Sequence, residues 1–158
     1  MIKAGVVGCP VAHSLSPTIH QYWMKQFDII GEYNKIEITE GHFFKGIEAL
    51  KKQNFAGVNV TIPHKINAFK IADIVCDSAQ KCGSANTLYF NEKSGIIADN
   101  TDGYGFISYL NQHLKTYQYQ FPEMVHIMIL GAGGAARGVA LALLEANWNL
   151  NLYIVNRN

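Results

Sequence analysis

The sequence predicts an α/β fold with mostly parallel sheets. Three observations carry this. Strand and helix signals alternate along the chain. Several short apolar runs are closed by glycine or proline. A glycine-rich turn at Gly131–Ala136 joins an apolar run to an amphipathic stripe. Alternation of this kind suits helices layered on a parallel sheet.

The elements follow in order. Ile2–Gly8 is a short, mostly apolar run ended by glycine and then Pro10, a buried strand. Ser16-Pro17 offers an N-cap and a proline at the first helical position. Ile19, Tyr22, Trp23 and Phe27 then form one apolar helix stripe. Tyr33–Ile38 alternates as a strand. Gly41–Lys52 is a weaker helix, with Phe44, Ile47 and Leu50 on one side. Gly57–Ile62 is a strand stopped by Pro63, and a helix covers His64–Ile74. Ala85–Phe90 and Gly95–Ala98 are two strands joined by a turn. Ile107, Leu110 and Leu114 stand at helical spacing within 103–115. The polar and aromatic stretch Thr116–Glu123 is the expected boundary. Val125–Leu130 is the next strand, Val139, Ala140, Leu143 and Leu144 mark a helix, and Leu150–Val155 closes the pattern. The two last strands have no covering layers in this pattern, so exposed edges and aggregation are expected.

Composition narrows the function classes. The chain has 158 residues, of which 49% are hydrophobic and 16% charged, which excludes disorder, collagen and coiled coil. A net charge of +1 creates no field that would recruit nucleic acid or a membrane surface. Any partner must be chosen by a local site, and a small molecule is expected. Cys9, Cys76 and Cys82 form no metal or disulfide spacing, and the histidines show no ligand spacing, so no metal is expected. No leader pattern opens the chain and no apolar run approaches membrane length, so a cytoplasmic location is expected.

Gly131, Gly133 and Ala136 match the G-x-G-x-x-G/A pattern between a strand and a helix. The first glycine permits the tight turn, and the second lets backbone amides approach a pyrophosphate. The third small residue lets helix and strand pack closely. The helix N-terminus presents free N–H groups to the anion. Gly131, Ala132, Gly133, Gly134 and Ala135 are therefore the expected cofactor loop of a Rossmann-type fold. After the second strand come Asn156-Arg157, with no acidic residue nearby. A guanidinium suits a 2′-phosphate, which points to NADP over NAD.

Polar clusters punctuate the first 102 residues. Ser14 and Ser16 sit at a helix start, where Ser16 serves as a cap or both hydroxyls hold a ligand. Asn59 and Thr61 alternate with Val58, Val60 and Ile62, which places both polar side chains on one face. Lys65 follows Pro63 at the strand's C-terminal end, where α/β sheets place ligands; the plain alternative is a solvated helix lysine. Asn86-Thr87 and Asp99–Gly103 complete the set, the latter also readable as a turn and cap.

Taken together and in order, these residues resemble the shikimate dehydrogenase family. The matching strings are Ser14–Pro17, Asn59–Lys65, Asn86-Thr87, Asn100–Gly103, Gly131–Arg137 and Asn156-Arg157. The resemblance implies a three-layer α/β substrate-binding and catalytic domain over 1–120, followed by an incomplete Rossmann NADP-binding domain over 121–158. It implies NADP-dependent reversible reduction of 3-dehydroshikimate to shikimate, a step of aromatic amino-acid biosynthesis by way of chorismate. Lys65 and Asp102 would form the catalytic pair. Ser14 and Ser16 would bind the substrate carboxylate, and Thr61, Asn86 and Asp102 the ring hydroxyls, with Asn59 in support. His13, His20 and His64 are expected to be structural.

Three departures stand out. Asn158 replaces a common threonine, Gly83-Ser84-Ala85-Asn86 replaces Gly-Ala-Val-Asn, and the chain ends just after the second strand of the glycine-loop part. The alternative expectation is a remnant or half-protein that binds shikimate without completing the reaction, working with a second copy or a complementing C-terminal half. A related quinate/shikimate enzyme is the third reading.

Overall fold

Two sheets organise the chain in a computed structural model that describes residues 1–120 and 122–157. Asn158 lies outside the described residues. The first sheet holds β1 (Ile2–Gly8), β2 (Gly31–Glu37), β3 (Gly57–Val60), β4 (Ile74–Val75), β5 (Thr87–Asn91) and β6 (Gly95–Asp99) in the order β2-β1-β3-β5-β6-β4. The second pairs β7 (Val125–Leu130) with β8 (Leu150–Val155). The helices are α1 (Ser16–Gln26), α2 (Phe43–Lys52), α3 (Lys65–Ile71), α4 (Asp77–Cys82), α5 (Asp102–Thr116) and α6 (Gly134–Glu145). Among the described residues no helix is long and apolar enough to cross a membrane.

The first sheet is mostly parallel, as expected, with β5 alone reversed and β4 parallel to β6. β5 runs antiparallel to both β3 and β6, while β1 pairs in parallel with β2 and β3. The cause is the tight turn between β5 and β6, because a short hairpin can only join antiparallel strands. The Asn91 side chain builds that turn, accepting from the amides of Lys93 and Ser94 at 2.9 Å each.

Alternation along the strands separates two faces. Val7, Val58, Val60 and Leu88 turn to one side and pack with Phe43, Ile47 and Leu50 of α2. The helix stripe therefore begins at Phe43 and not at the expected Phe44, which is half exposed. Val6 and Tyr33 turn to the other side, with Ala4 and Met24 against them. There α1 docks through His20 and Met24. The expected stripe of Ile19, Tyr22, Trp23 and Phe27 points outward instead. The reason is the tight approach to β2: the His20 ring stacks on Tyr33 at 4.0 Å, and the Met24 methyl lies 3.3 Å from where a Gly31 Cβ would be.

β7 and β8 run parallel in full register from Val125↔Leu150 to Leu130↔Val155. Val125, Ile127 and Ile129 are partly covered, whereas Met128 and Leu130 are 63% and 79% exposed. On α6, Ala140 and Leu143 are buried and Leu144 is exposed.

Candidate active site

The chemistry gathers where strands end. β3 finishes at Val60, and after Pro63 the chain enters α3 at Lys65. β6 finishes at Asp99, and α5 begins at Asp102. These two helix starts face one another. Lys65 Nζ donates to Asp102 Oδ2 at 2.5 Å, with the side chains 15% and 21% exposed. The other oxygen, Oδ1, accepts from Asn86 Nδ2 at 2.9 Å. Asp102 stands in the first turn of α5, where the positive end of the helix dipole favours a carboxylate. Its backbone N–H donates to Asn100 Oδ1 at 3.0 Å, which fixes the turn.

His64 sits beside Lys65 but faces the core. It is fully buried, its Nε2 lies 2.6 Å from the Ile38 carbonyl oxygen, and its ring stacks on Phe43. A carbonyl only accepts, so Nε2 carries the proton and donates. The Nδ1 atom has no hydrogen-bond partner among the described residues. This histidine anchors the start of α3.

Asn86 is held from several sides. Its Oδ1 accepts from the Thr101 amide and from the Thr87 hydroxyl, each at 3.0 Å. Asn59 faces Thr87 in the β3–β5 register, and its Nδ2 donates to the Thr87 hydroxyl at 3.2 Å. On its other side Asn59 Oδ1 accepts from the Tyr33 hydroxyl at 2.7 Å. Burial pushes the Tyr33 phenol well above its ordinary range, and the Ser16 side chain beside it offsets part of that rise. Thr61 lies one residue past the end of β3, its methyl turned toward Gly8.

Ser16 does not cap α1. It is the first helical residue, the N-cap position falls on Leu15, and Pro17 follows. Ser14 takes the outer position instead. Its Oγ accepts from the Ser16 amide at 3.3 Å and donates to the Ser16 hydroxyl at 3.2 Å. The two hydroxyls therefore form one paired unit at the helix start.

The glycine loop meets this site directly. Gly131 adopts φ +107°, a conformation that favours glycine, and a Cβ there or at Gly133 would meet nothing within 4 Å. Open space above the loop at the start of α6 suits an approaching phosphate, so the loop fits a dinucleotide. Ala132 and Ala135 are exposed on the same turn. Gly134 faces the other way. A Cβ there would lie 2.8 Å from the Lys65 Cβ and 3.4 Å from the Ser84 Cβ. Ser84, fully buried, donates its hydroxyl to the Gly134 carbonyl at 3.0 Å and accepts from Asn100 Nδ2 at 3.0 Å. The Gly131 amide donates to the Val155 carbonyl at 2.7 Å, so Asn156 and the exposed Arg157 continue from the same end of the sheet.

The structure thus links Lys65, Asp102, Asn86 and Asn59 by hydrogen bonds and seats the glycine loop against Lys65. Tyr33, Ser84 and Thr87 join them without having been expected to. Ser84 left a sequence trace as a departure from the family string, and Thr87 as the neighbour of Asn86. Tyr33 left none, because nothing local distinguishes one strand tyrosine from another. A cavity of about 370 Å³ lies between α4, α5 and α6, away from the Lys65 ammonium, and among site residues touches Asn100 and Gly103. Among the described residues no cluster of three or more His, Cys, Asp or Glu side chains converges.

Known proteins share this fold and much of this sequence. Residues 6–88 match the family described as the shikimate dehydrogenase substrate binding domain. The chain is 44% identical over 143 residues to shikimate dehydrogenase (NADP(+)) of Paracoccus denitrificans, covering 90% of this chain and 50% of that one. The crystal structure of shikimate dehydrogenase from Aquifex aeolicus superposes with a TM-score of 0.88 at 31% identity, over 100% of this chain and 56% of that one. The Thermus thermophilus enzyme in complex with NADP(H) and shikimate gives 0.82 at 33% identity, over 100% and 57%. The chain spans about half the length of the curated relatives it matches.

Proposed function

The chain belongs to the shikimate dehydrogenase family, and from that premise we propose that it serves the NADP-linked, reversible reduction of 3-dehydroshikimate to shikimate. The observation that carries this reading is the seating of Gly134 of the nucleotide loop against Lys65, which is itself paired with Asp102. Proton-handling groups and cofactor loop then share one edge. Residues 1–120 form the substrate side and 121–158 the cofactor side.

Interconverting an alcohol and a ketone needs a proton moved at the oxygen while hydride moves at the carbon. NADP, when bound, supplies or accepts the hydride. In the reducing direction the Lys65–Asp102 pair delivers a proton to the developing alkoxide, and in the oxidising direction it takes one from the hydroxyl. Ser14 and Ser16 hold the substrate carboxylate with their paired hydroxyls. Thr61, Asn86 and Asp102 hold ring hydroxyls, with Asn59 behind them. The loop Gly131–Ala135 receives the pyrophosphate through the amides past Gly131, whose own N–H is taken by Val155, and Asn156 with Arg157 holds the 2′-phosphate.

A second reading, shikimate binding without turnover, is favoured by the exposed apolar side chains of Met128 and Leu130 on the β7–β8 sheet. An assay with shikimate and NADP⁺ separates the two. Turnover lost by roughly two orders of magnitude or more in both Lys65→Ala and Asp102→Asn supports the enzyme, in line with a typical acid–base contribution. In that enzyme Arg157→Ala raises KM for NADP⁺ and leaves use of NAD⁺ unchanged. Saturable shikimate binding without turnover, abolished in Ser14→Ala/Ser16→Ala, supports the second reading. Neither turnover nor binding removes both.

A further inference from the structure

We propose that Tyr33 and Thr87 are positioning residues that orient the Asn86–Asp102–Lys65 end of the site through one directed chain of hydrogen bonds. The chain begins at the buried Tyr33 hydroxyl, which donates to Asn59 Oδ1 at 2.7 Å. Asn59 Nδ2 donates to the Thr87 hydroxyl at 3.2 Å, and Thr87 donates to Asn86 Oδ1 at 3.0 Å. Asn86 Nδ2 then donates to Asp102 Oδ1 at 2.9 Å, while Lys65 donates to Oδ2 from the other side. Every link from Tyr33 onward passes its donor toward the same carboxylate.

The direction matters because amides are ambiguous. Asn59 and Asn86 each have one accepting and one donating end, and either can turn by half a revolution. A phenol that donates to Asn59 Oδ1 leaves Nδ2 facing Thr87. The threonine hydroxyl, its lone pair occupied, gives its hydrogen to Asn86 Oδ1. Asn86 must then present its NH₂ to Asp102. The Thr101 amide, donating to the same Oδ1 at 3.0 Å, reinforces that choice. Chains of this kind polarise their members and act as units. Tyr33 can start it because its hydroxyl stays protonated: it is 2% exposed, and burial disfavours the phenolate. The His20 ring stacked on Tyr33 and the β2 backbone hold the phenol in place.

The consequence for the reaction rests on the function proposed above. An Asn86 amide aimed at Asp102 keeps that carboxylate turned toward Lys65. Asn86 and Asp102 stay in place to hold the ring hydroxyls when Tyr33 or Thr87 is lost, and proton transfer depends most on their exact aim, so kcat should fall more than KM rises.

Two variants break the chain at separate points while keeping shape. Tyr33→Phe keeps the ring and its stack, and Thr87→Val keeps the volume. The first readout needs no ligand: the side-chain ¹H–¹⁵N amide signals of Asn86 in the full chain, assigned by their loss in Asn86→Asp. Both variants should move these signals toward the positions of an exposed amide and speed their exchange with water about tenfold. In turnover with shikimate and NADP⁺, each should lower kcat about tenfold with KM changed less than threefold. The double variant should be no worse than the poorer single one. Unchanged Asn86 signals in Tyr33→Phe, or losses that multiply in the double variant, would overturn the proposal. Should Tyr33→Phe fail to fold, Thr87→Val decides it alone: unchanged Asn86 signals there overturn the proposal. If the wild-type chain turns over no shikimate, the proposed reaction fails, while the amide signals still decide the hydrogen-bond chain.

Discussion

Gly103 and Gly138 pack backbone to backbone where α5 meets α6. A Cβ on Gly103 would collide with the Gly138 carbonyl oxygen and stand 2.9 Å from the Ala142 Cβ. A Cβ on Gly138 would stand 3.1 Å from Asn100 Oδ1 and 3.4 Å from the Asp102 Cβ. This contact sets the distance between the helix carrying Asp102 and the helix that follows the glycine loop. Two missing side chains thus decide how the two halves of the site meet.

Gly103→Ala is expected to destabilise the chain despite the better helix propensity of alanine, worth about 1 kcal/mol. The collision is with backbone, so the helices must separate, at a cost of about 1–3 kcal/mol for overpacking. Calorimetry or a circular-dichroism melt should show Tm lowered by a few degrees. A raised Tm would show that α5 and α6 have room to spare.

Ser84→Ala removes the hydroxyl that joins the substrate sheet to the glycine loop. It leaves the partly buried Gly134 carbonyl without that donor, which costs about 0.5–1.5 kcal/mol. Asn100 keeps its second bond, to the Ser84 backbone oxygen at 2.9 Å, so the α5 start should survive. Denaturant unfolding should show the loss, and titration with NADP⁺ should show weaker binding beside unchanged shikimate affinity. Equal weakening of both ligands would place the Ser84 contact outside the cofactor loop's control.

Cys76 should be an unreactive thiol near neutral pH. Burial raises its pKa, and the carboxylates of Asp99 and Asp77 raise it further by opposing the thiolate. Raising the pKa favours the protonated form, so the reactive thiolate is depleted below that pKa and recovers only as pH rises through it. The alkylation rate at Cys76, followed by peptide mass spectrometry, should rise with pH at a higher midpoint than in the urea-unfolded chain. Asp99→Asn should lower that midpoint. A folded-state midpoint at or below the unfolded one would contradict the assignment.

Much of this was legible before any coordinates. The strands Val125–Leu130 and Leu150–Val155 match their expected bounds, because a mostly apolar run closed by glycine or asparagine is a purely local signal. Lys65 and Asp102 were paired through motif resemblance, and the structure brings their side chains together across 37 residues of sequence. Other features were not legible. The short strand Ile74–Val75 and the helix Asp77–Cys82 carry too few residues to show a period. The α1 stripe suggested a buried face that in fact points outward, since a helical period shows which residues share a side and not what lies beneath that side.

The sequence by itself determined which groups are present and where elements begin: an apolar alternation, glycines at the turn, polar residues at the strand ends. Those properties depend on neighbours within a few positions. Only the tertiary structure decided that β5 pairs with β3, that Gly134 rests on Lys65, and that Tyr33 reaches Asp102 through Asn59, Thr87 and Asn86. Each of those is a distance between side chains or backbones from separate elements. Such distances are set by packing and hydrogen-bond satisfaction across the fold, and no local pattern encodes them.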